Sequence, residues 1–403
     1  MRPQVLMLSP EPPYPLQGGG AYRIASLLHY FARSADIDLV LISENGKAAL
    51  LPPGLVRDQF VIPLPKHGKG LAERYLRNAR RAIAGVPPLI DRLAGLNAPI
   101  RDAIAGRRYS LGIAEHFWCA PYVALLSTVC ERTVLDLHNV ESVLHQRCAS
   151  VSSGLIAAGH RRFARMSKRL EAKWLPRYSL VLTTSAQDAA LAADIAPSAH
   201  TAVYPNALPW VDAPRPPRPS GGVVFSGNFE YHPNIDAVQF LANSIWPAIH
   251  SRHPGLKLRL VGRGDAFVRP LVPMNRNIEL TGAVESAFDE IARAEVVVAP
   301  LRAGSGTRIK ILEAWSAARP VIATPLAAEG LAIKNGENIL LADSALSFAD
   351  ALGRLLSDTG FSQRIAAAGR QTFESHYTWR TAWQALDINP QLTLSAELNR
   401  YTG

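Results

Sequence analysis

Short apolar runs rich in β-branched residues alternate with stretches of helical periodicity, and this alternation occurs twice along the chain. Residues 5–8 and 37–42 form such runs in the first half, and residues 223–226 and 296–299 form them in the second. Strands that alternate with helices favour a doubly wound, mostly parallel sheet. The sequence therefore predicts an α/β fold with two Rossmann-like sheets that face each other across a cleft.

Chain length and one proline-rich segment predict where the two domains meet. A chain of 403 residues is too long for one hydrophobic core and suits two domains of roughly 200 residues each. Five prolines and two glycines fall between residues 209 and 222, which is typical of a linker. We therefore expect a first domain over 1–207, a linker over 208–222 and a second domain over 223–375.

Composition excludes several classes of protein. Hydrophobic residues make up 48% of the chain and charged residues 19%, which is typical of a globular protein rather than a disordered one. The three cysteines, Cys119, Cys130 and Cys148, show no CxxC spacing. This argues against a disulfide framework or a structural zinc site and suits the reducing cytoplasm. No run of about 18 apolar residues occurs in the sequence, so we expect no membrane span.

Basic residues are concentrated in the first half of the chain, whose excess accounts for the net charge of +10. Window 57–108 has eleven Arg and Lys against four Asp and Glu, and window 160–177 has seven against one. They predict an anionic partner, such as a lipid phosphate head group, the inner membrane surface or an acidic saccharide. A solvated basic face is the alternative. Nucleic acid is not expected, because the windows lack interleaved aromatics and a binding motif.

The segment 296–315 predicts a phosphate-binding turn. A buried strand at 296–299 leads into a turn with Gly304 and Gly306, and a helix with regularly spaced apolar residues follows. Thr307 is the expected N-cap of that helix. Free backbone N–H groups and the helix dipole favour an anion at such a start. A glycine turn that serves packing alone is the alternative.

Three charged residues follow this turn. Arg308 and Lys310 place two positive charges beside the start of the helix. Glu313 can accept hydrogen bonds from hydroxyl groups bound above it. A diphosphate followed by a ribose matches this order of amide donors, cations and acceptor.

The first half has candidate ligand positions of its own. Residues 18–20, all glycine, lie where a strand passes into a helix, and glycines there let a ligand approach the backbone closely. His138 directly follows the apolar run 133–137, at the carboxyl end of a strand, where ligands bind in open parallel sheets. His116 also follows a strand, although its position indicates a ligand less clearly.

The order of these elements resembles a known family. The second half carries the Gly227 loop, the motifs 261–264 (VGRG) and 281–284 (TGAV), and the signature 304–314. With the glycines of the first half and His138, this order is similar to that of the retaining family 4 glycosyltransferases of the GT-B fold, over most of the chain. The resemblance implies two Rossmann-like domains and a C-terminal helix, within 376–403, that returns to the first domain.

The resemblance also implies roles for individual residues. Glu313 would hold the ribose hydroxyls, and His138 would lie at the donor sugar. The amides of Gly19 and Gly20 would meet the diphosphate, and Val284 would lie in the loop that contacts the base. The predicted donor-binding set is completed by Gly227, Gly262, Arg263, Gly304, Ser305, Gly306 and Thr307.

Two departures from the family pattern bear on catalysis. Ser305 stands where a glutamate usually contacts the donor sugar. Residues 228–232 (NFEYH) replace the basic residues usual after the first strand of the second domain. We expect Arg308 and Lys310 to supply the missing phosphate-neutralising charge from the helix. Together with His138, they are the expected catalytic residues.

The implied activity is transfer of a sugar from a nucleoside diphosphate sugar to an envelope glycan, a lipid-linked saccharide or a secondary metabolite, with retention of configuration. Amides with Arg and Lys can stabilise the departing diphosphate, so neither a metal nor another cofactor is expected. Asp36 and Asp38 resemble a metal-binding DxD pair, but Asp38 falls within a strand pattern and is interpreted as structural. A nucleotide-sugar epimerase and a catalytically silent binding protein remain open alternatives.

Overall fold

The computed structural model describes residues 2–64, 76, 80–81, 85–212, 222–273, 277–306 and 308–394, which form two compact units. The first unit comprises Met1–Gln146, Ala158–Asn206 and Ala382–Gly403, and the second comprises Arg147–Ala157 and Ala207–Thr381. The segment 147–157 belongs with the second unit, although the sequence division places it in the first. An ion pair of 2.6 Å between Arg147 and Glu329 ties this segment to the second unit.

The first unit is built on a parallel sheet of seven strands in the order β3-β2-β1-β4-β5-β6-β7. The strands are β1 (Gln4–Ser9), β2 (Asp36–Ser43), β3 (Asp58–Pro63), β4 (Tyr109–Glu115), β5 (Cys130–Leu137), β6 (Leu180–Thr183) and β7 (Thr201–Val203). The order reverses between β1 and β4, as in a doubly wound sheet. The sequence pattern does not predict β3, because this edge strand is mostly half-buried and lacks a continuous apolar run.

Helices connect these strands at the spacing that the apolar pattern predicts. Among the described residues before 207, the α-helices with defined bounds are α1 (Gly19–Ala32), α2 (Pro88–Leu93), α3 (Asn97–Ala103), α4 (Val123–Val129), α5 (Glu141–Ser150), α6 (Gly154–Trp174) and α7 (Ala186–Ile195). Helix α1 buries Ile24, Leu27 and Phe31 on one face, which is the amphipathic stripe that fixes a helix on a sheet. Helix α7 begins at Ser185, whose hydroxyl accepts the N–H of Asp188 and caps the helix.

The second unit contains a parallel sheet of six strands in the order β10-β9-β8-β11-β12-β13. The strands are β8 (Val223–Ser226), β9 (Leu258–Val261), β10 (Ile278–Gly282), β11 (Val296–Ala299), β12 (Val321–Ala323) and β13 (Leu340–Leu341). The helices are α8 (His232–Phe240), α9 (Trp246–Arg252), α10 (Asp265–Val268), α11 (Ala287–Ala292), α12 (Ile309–Ser316), α13 (Ala345–Ser357) and α14 (Thr359–His376). Its strand order also reverses, between β8 and β11, so this sheet is doubly wound as well.

Strand β11 and helix α12 hold the predicted phosphate turn between two buried elements. All of β11 is buried, and it pairs with β8 and β12 in the middle of the sheet. In α12, Ile311, Leu312 and Trp315 are fully buried. The indole N–H of Trp315 donates to the carbonyl of Asn338 at 3.0 Å. The turn therefore leaves the carboxyl end of a rigid strand and enters a helix that is anchored in the core.

The last helix, α15 (Trp379–Asp387), returns the chain to the first unit, which includes residues from Ala382 onward. The indole N–H of Trp383 donates to the hydroxyl of Ser26 in α1 at 3.1 Å. The guanidinium of Arg132 donates to the carbonyl of Gln391 at 2.8 Å. None of the helices in the described part of the chain is both long and apolar enough to cross a membrane.

Candidate functional site

The turn after β11 leaves backbone and small side chains buried beside the start of α12. Gly304 and Gly306 have φ values of 131° and 76°, which only glycine adopts at low cost. Ser305, between them, is buried. Arg308 occupies the N-cap position, with no side-chain cap, so the prediction of Thr307 as N-cap is wrong by one residue; Thr307 itself lies outside the described residues. The predicted and observed first residues of a helix often differ by one position, because the boundary depends on local hydrogen bonding.

The guanidinium of Arg308 lies beside this turn and is held by a carboxylate. A Cβ placed on Gly304 would be 3.2 Å from its Nη1. Its other terminal nitrogen contacts Glu329 Oε2 at 3.2 Å. Arg147, also of the second unit, binds the same carboxylate at 2.6 and 2.9 Å and donates to the carbonyl of Gly304 at 3.0 Å. Glu329 thus aligns two arginines along the turn, and sequence reasoning assigned a role to neither Glu329 nor Arg147.

The ammonium group of Lys310 reaches the loop that follows β8. A Cβ placed on Gly227 would lie 2.5 Å from Lys310 Nζ, and Nζ is 5.3 Å from the centre of the Phe225 ring. Burial lowers the pKa of Lys310, and the nearby Glu313 carboxylate opposes this shift. Burial raises the pKa of Glu313, which Lys310 opposes in turn. The ammonium group of Lys310 therefore lies at the loop after β8, where residues 228–232 replace the basic residues usual at this position.

Two further predicted glycines hold neighbouring loops in close contact. A Cβ at Gly262 would lie 1.9 Å from the carbonyl oxygen of Gly227, and Gly262 has φ of 142°. The N–H of Gly227 donates to the carbonyl of Val261 at 2.9 Å. Arg263 is exposed and Val284 is half-buried in the adjoining loops. This geometry gives both glycines a packing role, and the donor-binding roles of all four residues stay predictions.

In the first unit, a carboxylate covers the predicted diphosphate loop. Helix α1 begins at Gly19 and has no side-chain cap. Glu11 Oε1 packs so closely on Gly20 that a Cβ placed there would be 1.5 Å away. The same oxygen contacts His116 Nε2 at 3.0 Å. Glu11 is a residue that the sequence pattern did not identify, because it lies in a proline-rich loop without periodicity.

His138 is buried at the end of β5 against two carboxylates and an arginine. Its Nε2 lies 2.9 Å from Glu115 Oε2 and 3.3 Å from Asp136 Oδ2. Arg23 donates from Nε to Asp136 at 2.6 Å and from Nη1 to the carbonyl of Tyr204 at 2.7 Å. The strand end, helix α1 and the loop after β7 therefore fix the orientation of the His138 ring.

The charges in this cluster follow from burial. Burial lowers the pKa of His138 to about 4, so the ring is neutral at neutral pH. Burial raises the pKa of Glu115 well above its usual range, and the adjacent Asp136 charge raises it further. Burial also opposes ionisation of Asp136, but the positive charge of Arg23 and the contacts of His138 outweigh it and lower that pKa. Of these two carboxylates, Glu115 is therefore the more easily protonated and Asp136 the more acidic.

His116 is brought next to His138 by a strained backbone. It has φ of 64° and ψ of 146°, a conformation that is costly for any residue except glycine and that clusters at functional sites. Its ring stacks on Trp118, with centroids 4.4 Å apart and an interplanar angle of 4°, and lies 3.5 Å from the ring of His138. The structure thus brings together two histidines that the sequence ranked separately.

The same cluster contains two groups of potential metal ligands. The ligand atoms of Glu11, His116 and His138 lie within 4.8 Å of one another, as do those of Glu115, Asp136 and His138. Metal ligands must direct their lone pairs at one point, whereas the two imidazoles are stacked at an angle of 30°, so their in-plane lone pairs do not converge. In the second group, Arg23 already neutralises Asp136. The cluster therefore fits a hydrogen-bonded network better than an ion.

Asp38 of the DxD-like pair is structural, as the sequence analysis interprets it. Asp38 is fully buried in β2 and accepts hydrogen bonds from Arg57 at 2.9 Å, Arg107 at 2.7 Å and Tyr109 at 2.8 Å. Two arginines and a phenol saturate the carboxylate. It is therefore unavailable as a metal ligand.

Sequence comparisons place the second unit in a known family. Residues 220–358 match the family model described as "Glycosyl transferases group 1". The chain is 30% identical over 139 residues to the phosphatidyl-myo-inositol mannosyltransferase of Mycobacterium leprae, covering 33% of this chain and 37% of that protein. It is 28% identical over 166 residues to an exopolysaccharide phosphotransferase of Streptomyces coelicolor, covering 39% and 17%. The chain thus spans a minor part of the length of each of these curated relatives.

Solved structures resemble the chain over nearly its full length. The sucrose-phosphate synthase of Thermosynechococcus elongatus matches with a TM-score of 0.73 and 18% identity, covering 99% of both chains. Anabaena Alr3699/HepE, solved with UDP and glucose, matches with a TM-score of 0.65 and 16% identity, covering 96% of this chain and 98% of that one. WaaG, a glycosyltransferase involved in lipopolysaccharide biosynthesis, matches with a TM-score of 0.63 and 14% identity, covering 95% and 99%.

Two doubly wound units, a returning C-terminal helix and these full-length likenesses define a GT-B fold. The fold class predicted from the sequence is therefore confirmed. Residues 220–358 match the group 1 glycosyl transferases, and this match over the second unit agrees with the family that the sequence motifs resemble.

Proposed function

We propose that this protein transfers a sugar from a nucleoside diphosphate sugar to a hydroxyl acceptor, with retention of configuration. The observation that carries the proposal is the position of Lys310, whose ammonium stands at the Gly227 loop. Glu313, one turn on in the same helix, is placed to accept from hydroxyls. A cation followed by a carboxylate on one helix, within the segment that matches the family, suits a diphosphate joined to a ribose.

The chemistry needs stabilisation of charge on the departing diphosphate. As the bond between the sugar and phosphate breaks, Lys310 and Arg308 offset the developing negative charge, and the amides of the turn donate to it. The acceptor oxygen attacks the same face of the sugar and passes its proton to the departing phosphate. This sequence of bonds uses no covalent enzyme intermediate and no metal ion, so metal independence forms part of the proposal.

Glu329 and Arg147 are positioning residues in this proposal. Glu329 holds Arg308 beside Gly304, and Arg147 holds Glu329. In the first unit, His138 is proposed to bind the donor sugar as a neutral ring whose orientation Glu115 and Asp136 fix. The amides of Gly19 and Gly20 are proposed to meet the diphosphate after Glu11 has moved.

The names of relatives guide the choice of substrates to test. HepE was solved with UDP and glucose, so UDP-sugars are the first donors to test. The mannosyltransferase relative is named for a phosphatidylinositol acceptor, and WaaG for lipopolysaccharide biosynthesis. Saccharide and lipid-linked acceptors are therefore proposed for this chain. The epimerase alternative differs in that it converts the donor without any acceptor.

A panel of UDP-, GDP- and dTDP-sugars tests the proposal with purified protein. Thermal stabilisation by one nucleotide class, followed by slow release of its nucleoside diphosphate, is the expected result, because a donor site stabilises the folded state by mass action. Release of diphosphate with an inverted product would refute retention alone. Acceptor-independent change of the sugar would favour an epimerase, and no stabilisation by any member of the panel would contradict the donor site.

A further inference from the structure

The first unit has a polar cavity that lies outside the predicted donor site. Its volume is about 600 Å³, which is within the range of small-molecule sites. It is formed wholly by residues of the first unit. Six residues line it, and none of them has an apolar side chain: Gln4, Arg57, Asp58, Gly106, Arg107 and Arg108.

The cavity lies at the amino ends of the strands, whereas His138 and the other predicted site residues of this unit follow the carboxyl ends. Gln4 and Asp58 are the first residues of β1 and β3. Arg107 and Arg108 directly precede β4. A strand rises about 3.3 Å per residue, so the two ends of β1 lie about 16 Å apart. A ligand in the cavity is therefore separate from one bound at His138.

The cavity brings together the two ends of the first basic window of the sequence, 57–108. Arg57 directly precedes β3, and Arg107 and Arg108 follow the turn after α3. Gly106 forms this turn with φ of 75°, and a Cβ placed on it would have no atom within 4 Å. The wall of the cavity is therefore open at the turn. The anionic partner that the window predicts has a defined place to bind between its two ends.

A buried carboxylate holds two of the three arginines in place. Asp38 is fully buried and accepts hydrogen bonds from Arg57 at 2.9 Å and from Arg107 at 2.7 Å. Burial raises the pKa of Asp38, but the hydrogen bonds from Arg57, Arg107 and Tyr109 outweigh burial and lower it. The Arg107 guanidinium also lies 4.8 Å from the centre of the Phe60 ring. Because both guanidinium groups are already fixed, a ligand that binds them orders few side chains.

Each of the three guanidinium groups keeps N–H groups for a ligand. Arg57 donates from Nε and Nη2 to Asp38, and Arg107 donates from Nη1 to Asp38 and Asp58. Arg108 donates from Nη1 to a backbone carbonyl. Within the described part of the chain, the remaining nitrogens of these three groups donate to no acceptor. The side chains of Arg57 and Arg107 are each 31% exposed, and Arg108 is exposed, so a ligand can approach all three.

These donors match the oxygens of a phosphate group. Guanidinium forks pair with phosphate oxygens, and three forks suit an anion with three or more acceptor oxygens better than a carboxylate with two. Three arginines against the carboxylates of Asp38 and Asp58 leave one positive charge. Acyl chains would gain nothing from a lining without apolar side chains.

We propose that this cavity binds the phosphate group of a small soluble molecule, either free phosphate or a phosphate ester. The ester is included because Asp58, whose side chain is 44% exposed, and Gln4 can form hydrogen bonds with hydroxyl groups. The proposal does not rest on the proposed sugar transfer, since none of the lining residues belongs to the predicted donor site.

The test is isothermal titration calorimetry of the full chain with inorganic phosphate, glucose 6-phosphate and acetate at equal ionic strength. Each titration is repeated in excess UDP, which competes for the predicted donor site and not for the cavity. Arg108→Gln removes an exposed charge without altering the contacts of Asp38, and Arg57→Lys keeps the charge beside Asp38 but removes the fork. Arg101→Gln is the matched control, because Arg101 is exposed in α3 and does not line the cavity. Circular dichroism and melting temperatures confirm that the variants fold.

We expect wild type to bind at least one phosphate probe with a Kd of about 1 mM or below, with and without UDP, and to bind acetate at least about tenfold more weakly. Tighter binding of glucose 6-phosphate than of phosphate would identify an ester as the ligand, and the reverse or equal binding would identify free phosphate. Arg108→Gln should lose about tenfold in affinity, Arg57→Lys about fivefold and Arg101→Gln less than about twofold.

Four results would overturn the proposal. The first is the absence of saturable binding of both phosphate probes, and the second is equal binding of acetate. The third is an equal loss of affinity in Arg108→Gln and Arg101→Gln, which would indicate a diffuse basic surface. The fourth is loss of phosphate binding in excess UDP, which would place the phosphate at the donor site. Failure of UDP to bind would count against the proposed donor site alone, because the cavity variants leave that site unchanged.

Discussion

The Glu11 carboxylate lies directly on Gly20, at the first turn of α1: a Cβ built on Gly20 would be 1.5 Å from Oε1. The free end of α1 is where the proposed donor places its diphosphate, and a carboxylate and a diphosphate repel each other there. Glu11→Gln removes the charge and keeps an oxygen beside His116. We expect it to bind UDP about tenfold more tightly, as loss of one close like-charge contact predicts.

Isothermal titration calorimetry of wild type and Glu11→Gln with UDP measures this effect. Glu337→Gln is the matched control, because Glu337 is exposed and pairs only with Lys334 among the described residues. Weaker UDP binding by Glu11→Gln would show that the carboxylate supports the site instead of covering it.

The cation on α12 supplies a second prediction. Lys310→Ala removes the ammonium that stands at the Gly227 loop, and the diphosphate then loses a fixed positive charge in the transition state. We expect kcat/KM for the donor to fall by about 100-fold. Lys334→Ala is the control, since the Lys334 side chain is 73% exposed, and it should stay within about twofold. A wild-type value of kcat/KM in Lys310→Ala would show that this lysine takes no part in catalysis.

Close contact between two loops of the second unit predicts a large difference between two glycines. Gly262→Ala would place a methyl group 1.9 Å from a backbone oxygen at φ of 142°, whereas Gly255 has nothing within 4 Å of its Cβ position. We expect Gly262→Ala to lower the free energy of unfolding by about 3 kcal/mol and Gly255→Ala to change it by less than about 0.5 kcal/mol. Urea unfolding of both variants measures these free energies. Similar midpoints for the two variants would argue against close packing of the two loops.

The sequence predicts the fold well because burial and periodicity coincide. All of strand β11 is buried, as are Ile311, Leu312 and Trp315 of α12, so the apolar residues of these elements recur in a pattern that the sequence shows directly. The half-buried edge strand β3 carries no such signal. The predicted site residues lie in glycine turns, shortly after a strand or in the first turns of a helix, because those positions are defined locally.

The residues that contact the predicted site residues could not be predicted from local sequence patterns. Glu11 meets His116 across 105 residues of sequence, and Arg147 meets Glu329 across 182. Contacts over such separations are set by how strands and helices pack, which no local spacing records. The positive φ of His116 could not be predicted either, because residues other than glycine rarely adopt a positive φ.

A buried carboxylate in the first unit predicts that stability depends on pH. Glu141 accepts the indole N–H of Trp118 at 3.2 Å, and burial, aided by the charge of Glu171, raises the pKa of Glu141 to about 8. The folded state therefore holds a proton that the unfolded state releases near its ordinary pKa of 4.5. This proton stabilises the fold below about pH 4.5, and the contribution is lost as pH rises through about 8.

Glu141→Gln keeps the acceptor oxygen and cannot ionise, so its advantage in the free energy of unfolding should grow by about 2 kcal/mol or more between about pH 5 and about pH 9. Urea unfolding across this range measures the change, with the exposed Glu131→Gln as control. A pH-independent difference between Glu141→Gln and wild type would mean that Glu141 is ionised in the folded protein.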